Sequence, residues 1–166
     1  MRATLLFIPL LLLGCSQLQN ETPPPQSIFG EHVFVFDPEM DTESMQRTLD
    51  QIHGWQAGQE FSDNRYALLF KPGEYDLEIT VDFYVQALGL GRRPDGVVVN
   101  GAVQSVWTTS NNKVTTQFWR GAENFKVYPD STKEWMYWAV SQAAPMRRMH
   151  IIGDINFDKG GWASGG

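Results

Sequence analysis

Apolar residues recur at helical spacing most clearly just after residue 40. The apolar positions at i, i+4 and i+7, which share one face of a helix, are Met45, Leu49 and Ile52. Asp41 precedes this pattern and can cap the first turn, while Gly54 follows it as a stop signal. The pattern therefore predicts one amphipathic α-helix over residues 42–53.

The rest of the chain shows a different pattern, in which short apolar or β-branched runs are separated by Gly, Pro, Asn or Asp. Runs of this kind, bounded by turn residues, are typical of β-strands. The predicted strands are 66–70, 79–81, 84–88, 97–99, 117–119, 125–128, 138–140 and 149–152.

Their spacing fits a sandwich, a barrel or a solenoid, and spacing alone supports the solenoid and the sandwich equally. Glycine-containing turns recur after similar apolar runs, at 88–91, 100–101, 120–124 and 152–154. Weak self-similarity at intervals of tens of residues is typical of stacked coils. An amphipathic helix before the first coil would also cover the open end that a solenoid has.

Several longer motifs carry a resemblance to a known family. The segments ALLFKPGEY (67–75), ALGLG (87–91) and VVVNGAV (97–103) resemble the start of right-handed parallel β-helix proteins of the pectate-lyase-like kind. A narrower resemblance, to large secreted or lipid-anchored β-helix proteins, covers Phe34 to Gly166. It rests on FVFDPEM (34–40), NRYALLFKPGEYD (64–76), FWRGAENF (118–125), WAVSQAAPMRRMHIIGD (138–154) and GGWASGG (160–166).

Members of that family are loosely labelled coagulation factor 5/8 type domain protein, adenylyl cyclase or glycoside hydrolase. A cyclase would need ATP outside the cytoplasm, so we disregard that label. The resemblance implies a mostly β fold: a right-handed parallel β-helix (solenoid) that begins with one N-terminal capping α-helix. Because family members are several times longer and GGWASGG resembles a turn between coils, we expect a C-terminally truncated domain that is inactive alone. No catalytic residue is transferred.

The N-terminal segment predicts export and lipidation. A basic start and the apolar run 5–13 are too short for a membrane span and form a signal peptide, which we place at 1–14. Leu12-Leu13-Gly14-Cys15 resembles the bacterial lipoprotein box, with Cys15 as the lipidated residue; an ordinary signal peptide is the alternative. Residues 15–31 form a polar, proline-containing tether, and residues 32–166 form the cap and first coils. The predicted location is the outer membrane or cell surface.

Charge and aromatic content narrow the partners. A net charge of −6 argues against nucleic acid, and the membrane would be contacted through the lipid anchor only. Aromatic residues make up 13% of the chain and can fill a core or stack on sugars. We therefore consider as polysaccharide-binding candidates Trp119, Arg120, Trp138 and Arg147. The alternative is structural: the arginines pair with Glu123, Asp154 or turn carbonyls, and the tryptophans fill gaps between coils.

The predicted strand after residue 148 supplies further candidates. If 149–158 is extended, His150, Ile152, Asp154, Asn156 and Asp158 share one face, and Met149, Ile151, Ile155 and Phe157 share the inner one. We take His150, Asp154 and Asp158 as substrate-binding candidates, with a solvated face as the alternative. Four residues of strand separate the two aspartates by about 13 Å, too far for a glycosidase pair, so a partner would have to come from a neighbouring coil.

The function hypotheses fall into three classes. First is a glycoside hydrolase acting on extracellular polysaccharide as a monomer in full-length form; the others are a non-catalytic carbohydrate-binding or adhesion module and a polysaccharide lyase. The three histidines are scattered and the single cysteine is the lipidation candidate, so neither metal nor cofactor is predicted. Aligned carboxylates on neighbouring coils would favour the hydrolase.

Overall fold

The computed structural model describes residues 28–106, 117–129, 136–138 and 141–157. This part of the chain is mostly β, with one α-helix, α1 (Thr42–Gln56), and a 3₁₀ helix at Pro94–Gly96. The strands are β1 Val33–Phe36, β2 Tyr66–Phe70, β3 Gly73–Tyr75, β4 Glu78–Thr80, β5 Val85–Gly89, β6 Val97–Asn100, β7 Ala102–Gln104, β8 Gln117–Phe118, β9 Gly121–Glu123, β10 Lys126–Tyr128, β11 Met136–Tyr137, β12 Ser141–Gln142, β13 Met146–Arg147, β14 His150–Ile151 and β15 Ile155–Asn156.

Helix α1 begins where the sequence predicts and ends later. The Asp41 carboxylate accepts a hydrogen bond from the Ser44 amide at 2.8 Å, which caps the first turn, and the predicted apolar face is buried. The predicted stop at Gly54 is wrong, because the helix continues to Gln56. Gln56 is buried and its amide nitrogen donates to the Phe83 carbonyl at 2.7 Å, so the last turn is held against the strands.

Every strand pairing among the described residues is parallel. The largest sheet has the order β1-β2-β5-β9-β13, and a second has the order β3-β6-β10-β14. Smaller pairs join β4 to β7, β8 to β12 and β11 to β15. Along the chain, strands thus recur in a fixed order: one in the first sheet, one in the second sheet and one in a short two-stranded pair. We call each such set of consecutive strands a row. This arrangement contradicts the antiparallel sandwich that spacing alone left open.

The core lies between the sheets and is built from rows of stacked side chains. Alternate residues of β5 face inward, so Val85 and Ala87 are buried whereas Gln86 is exposed. Parallel register places equivalent residues directly over one another: Phe36 pairs with Phe70, and their rings stack at 4.7 Å. Such aligned rows bury apolar area in every layer, which is the main stabilising term of the fold.

The strand predicted over 149–152 is shorter than expected, and the alternation proposed for 149–158 is interrupted. Gly153 has φ +146, which separates β14 from β15. Ile151 and Ile155 still pack against the core, as predicted. The inward placement of Phe157 is wrong, because its side chain is 46% exposed. Asp158 lies outside the described residues.

Two other predicted strands are observed only in part. The strand predicted over 117–119 stops at Phe118, because Trp119 adopts a left-handed backbone with φ +53. In the strand predicted over 138–140, Trp138 forms a single parallel bridge to Ser105, and residues 139–140 lie outside the described part. Residues 1–27, including Cys15, also lie outside it. Of the described helices, none is long and apolar enough to span a membrane.

Candidate functional site

A cleft of about 600 Å³ opens along one edge of the five-stranded sheet, where the chain turns into its strands. Its lining residues come from successive rows of the sheet, so the cleft runs across the strands. Those used below are Arg65, Tyr84, Gln86, Trp119, Ala143 and Pro145. Apolar and polar groups alternate along this edge, which is the composition expected of a small-molecule site.

Four corner residues occupy equivalent places in four neighbouring rows. Tyr66 pairs with Val85, Gln86 with Gly121, and Ala122 with Met146. We extend the first register towards the N-terminus by one residue, the second by two and the third by three. The residues that then lie over one another, in row order, are Arg65, Tyr84, Trp119 and Ala143. The last three share a left-handed backbone, with φ values of +60°, +53° and +47°. This conformation is costly for a side-chain-bearing residue and marks a site held by its surroundings.

The first three corner residues form a stack. The Arg65 guanidinium carbon lies 3.6 Å from the centre of the Tyr84 ring. The Tyr84 and Trp119 rings lie 5.4 Å apart and are nearly parallel, at 9°. Backbone hydrogen bonds tie the same corners together, since the Tyr84 amide donates to the Trp119 carbonyl at 2.7 Å. Trp119 remains 43% exposed, so an indole surface faces the cleft.

A buried arginine supports this corner from inside. Arg120 is 1% exposed, and its Nη1 donates to the Val81 carbonyl at 2.8 Å. The same nitrogen lies 3.7 Å from an oxygen of Asp82, which is also 1% exposed. Burial lowers the pKa of Arg120 to about 10, against the opposing effect of Asp82. Arg120 therefore braces the two corner turns that carry Tyr84 and Trp119.

Asp82 also connects the corner to the capping helix. Its second carboxylate oxygen lies 2.5 Å from His53 Nδ1 on α1. The hydrogen bond with Asp82 raises the pKa of His53, while partial burial acts in the opposite direction. His53, Asp82 and Arg120 thus form a charged network, which we call the corner network, from the helix to the wall of the cleft.

Beyond the corner, the outer face of the same sheet carries polar groups. A smaller depression of about 230 Å³ is lined by Glu123 and Arg147, and it shares Gln86 and Pro145 with the cleft. Arg147 Nη2 donates to Glu123 at 2.7 Å, which is the pairing that the structural alternative predicted. Along their strands, Gln86 follows its corner residue by two positions, and Glu123 and Arg147 follow theirs by four.

The structure brings some of the predicted candidates together and separates others. The candidates that lie on or beneath one sheet edge are Trp119, Arg120 and Arg147. Arg120 is among the residues that line the cleft, and it is 1% exposed with its Nη1 donating to a backbone carbonyl. Trp138 is buried, and its indole nitrogen donates to the Ala144 carbonyl at 3.0 Å, so it fills a gap between coils. His150 is exposed on the second sheet. Asp154 is exposed after Gly153.

Sequence reasoning missed four residues of this region: Arg65, Tyr84, Asp82 and Gln86. One signal could have pointed to Tyr84, since Tyr84 and Trp119 are both aromatic residues that precede a strand of the largest sheet, by one and two positions respectively. Asp82 gives no such signal, because its partners lie 29 and 38 positions away in the chain. No group of three or more metal-binding side chains occurs among the described residues.

Comparisons with known proteins identify relatives but no matching family model. The chain is 44% identical over 143 residues to an exo-β-1,3-glucanase of Streptomyces sp. strain SirexAA-E / ActE, which covers 82% of this chain and 22% of the relative. The structure of sacteLam55A from Streptomyces sp. SirexAA-E superposes with a TM-score of 0.76 at 40% identity, over 85% of this chain and 26% of that one. A variant of sacteLam55A in complex with glucose gives 0.75 at 41%, over 82% and 25%.

The chain therefore spans about a quarter of the length of the relatives that it matches. Over most of its own length it is homologous to a glycoside hydrolase, which supports the glycoside hydrolase expectation from the sequence. Both comparisons cover the same large share of the chain, so the resemblance includes the fold as well as the sequence.

Proposed function

We propose that this chain contributes stacked coils of a right-handed parallel β-helix to an extracytoplasmic glycoside hydrolase that acts on β-1,3-glucan. The observation that carries the proposal is the 44% identity over 143 residues to an exo-β-1,3-glucanase. Superposition on sacteLam55A over a similar share of the chain supports it, because homologous segments with the same fold tend to keep the same role in the whole protein.

The strand order supports the β-helix part of the proposal. Row two consists of β2, β3 and β4, and row three of β5, β6 and β7, each paired in parallel with its counterpart. The next rows repeat this order with β9, β10 and β11, and then with β13, β14 and β15. Parallel strands that recur in a fixed order of three are the arrangement expected of stacked coils, and α1 covers the starting end.

The contents of the cleft support a role in holding the polysaccharide. Glycosidic cleavage needs two carboxyl groups, one acting as a general acid and the other as a nucleophile or base. The described lining of the cleft contains aromatic, amide and arginine side chains and no carboxylate. Glu123, in the adjoining depression, is held by Arg147. We infer that this part of the enzyme binds glucan and that the carboxylates come from elsewhere, which agrees with our expectation that the 166 residues alone show no turnover.

The lipoprotein assignment is a separate part of the proposal. It rests on the signal-like segment 1–14 and on Cys15 in the sequence Leu-Gly-Cys. Mass spectrometry of the exported chain tests it, because lipidation would leave an acylated Cys15 as the first residue and Cys15→Ser would leave an unmodified chain. An exported chain that is cleaved elsewhere and carries no lipid would contradict it.

A chimera tests the glycoside hydrolase proposal. The matched segment of the Streptomyces exo-β-1,3-glucanase is replaced by the corresponding 143 residues of this chain, and glucose released from laminarin, a β-1,3-glucan, is measured. We expect the folded chimera to release glucose from laminarin in preference to a β-1,4-glucan, and the 166-residue chain alone to release none. A chimera that folds, as judged by circular dichroism, but releases no glucose would contradict the proposal.

A further inference from the structure

The stack of corner side chains ends abruptly at Ala143. Arg65 covers one face of the Tyr84 ring and Trp119 covers the other. Tyr84 in turn covers one face of Trp119, and the Phe118 ring lies 5.3 Å from the indole at a tilt of 42°. The indole is still 43% exposed and lines the cleft together with a residue of the next row. In that row the equivalent residue is Ala143, which has the same left-handed backbone and only a methyl group. Among the described corner residues, none therefore places a flat side chain in the fourth position of the stack.

This open place belongs to the cleft. Ala143 and Pro145 line it together with Trp119, and neighbouring parallel strands are about 4.8 Å apart. The spacing between neighbouring rows is thus close to the distance of 5.4 Å between the stacked rings of Tyr84 and Trp119. A saccharide ring placed on the free indole face would take the position of the missing rung, with its C–H groups against the ring as in aromatic packing.

We propose that the free face of Trp119, above Ala143, is a stacking subsite for one pyranose ring of a neutral glucan. This assignment rests on the proposed function and specifies where the chain binds its polysaccharide. The exposed amide of Gln86, which pairs with Gly121 two residues after Trp119, supplies a donor and an acceptor for ring hydroxyls.

The charges around the subsite favour a neutral sugar over a uronic acid. Arg65 stacks on Tyr84, and its Nη1 donates to the Ser62 and Asn64 carbonyls. Arg120 is buried, and Arg147 is paired with Glu123. The described arginines nearest the subsite are therefore already engaged, so a carboxylate on the ligand would have to compete with existing partners.

The platform is also fixed before any ligand arrives. The left-handed backbone of Trp119 is held by the hydrogen bond from the Tyr84 amide to its carbonyl, and Arg120 joins the turns on either side. A preformed aromatic surface loses little side-chain freedom on binding, which favours affinity.

Isothermal titration of the 166-residue chain with laminarihexaose, a β-1,3-linked glucose hexamer, tests the subsite. Trp119→Ala removes the indole on which the sugar would stack. Ala143→Tyr fills the open place with a fourth flat side chain, on the same left-handed backbone that carries Tyr84 and Trp119. We expect each variant to weaken binding about tenfold or more. Tyr128→Ala, which removes an exposed aromatic side chain on the second sheet, is the matched control and should leave affinity unchanged.

Wild-type affinity in either folded variant would overturn the subsite, as would the absence of binding by the unmodified chain. Tighter binding of an oligogalacturonate than of laminarihexaose would overturn the assignment to neutral sugars. These failures are distinguishable from failure of the proposed function, because the chimera carries Trp119 and Ala143 unchanged and its release of glucose from laminarin is a separate measurement from the titration of the variants.

Discussion

Replacing Asp82 by Asn should destabilise the chain strongly, because Asp82 is the counter-ion of the buried Arg120 and also makes a hydrogen bond with His53. Its carboxylate is 1% exposed and lies 3.7 Å from Arg120 and 2.5 Å from His53. The substitution keeps the size of the side chain and removes its charge. Arg120, whose side chain is completely buried, would keep its hydrogen bond to the Val81 carbonyl but lose its counter-ion.

The size of the loss follows from these distances. At an effective dielectric constant of about 20, two unit charges 3.7 Å apart attract by roughly 4 kcal/mol. Part of this is offset because a neutral amide is easier to bury than a carboxylate, whereas the hydrogen bond with His53 is weakened as well. Removing one partner of a buried ion pair typically costs about 3–5 kcal/mol. We expect a loss in this range and a fall in Tm of roughly 10 °C.

Thermal and urea unfolding followed by circular dichroism measures the effect. Asp76→Asn is the matched control: Asp76 is exposed and accepts a hydrogen bond from Asn100, so its loss should be below about 0.5 kcal/mol. Adding Arg120→Met to Asp82→Asn should recover part of the stability, since the buried unpaired charge is removed. A loss below about 1 kcal/mol for Asp82→Asn would refute the reasoning that the corner network holds buried charges together.

Three further perturbations test other parts of the structure. Gly101→Ala should cost about 2 kcal/mol or more in urea unfolding, because φ is +150° and the new Cβ would lie against the Leu77 carbonyl oxygen. In Gly54→Ala, within α1, the new Cβ would contact nothing, and the helix should be stabilised by about 0.5–1 kcal/mol. Similar effects of the two substitutions would contradict this expectation. The pKa of His53 is raised mainly by Asp82, with Asp50 adding to the shift and Arg120 opposing it. The stability that protonated His53 contributes is therefore fully present below about pH 6.5 and is lost as the pH rises through its folded-state pKa. The difference in Tm between the unmodified chain and His53→Gln should narrow over that range, and a difference that stays constant with pH would contradict this linkage. Asp41→Ala removes the carboxylate that caps the first turn of α1 and should lower both the helix content and the Tm, measured by circular dichroism; no change in either would show that the cap is dispensable.

Local patterns predicted much of the fold. Asp41 and the apolar spacing that follows it were enough for α1, because capping and amphipathicity act within a few residues. The strand 66–70 was predicted at its observed bounds, since its apolar run is closed by a Pro-Gly turn. The helix end was missed because Gln56 is held by Phe83, a partner 27 residues away that no local pattern shows.

The site was less predictable than the fold. Trp119 could be proposed from its type, but its exposure depends on a left-handed backbone and on Ala143 in the next row. Arg120 was predicted as a candidate for binding substrate, and its burial against Asp82 and Val81 could not be read from the sequence. Both outcomes depend on which residues parallel register places over one another, and the register is set by packing over the whole stack.

The most direct test of the account is a crystal structure of the 166-residue chain with laminaritriose. The account predicts a parallel β-helix in which one glucose ring lies flat on Trp119, about 4 Å from the indole and over Ala143, within reach of Gln86. A trisaccharide bound at another surface, with the face of Trp119 unoccupied, would contradict the account.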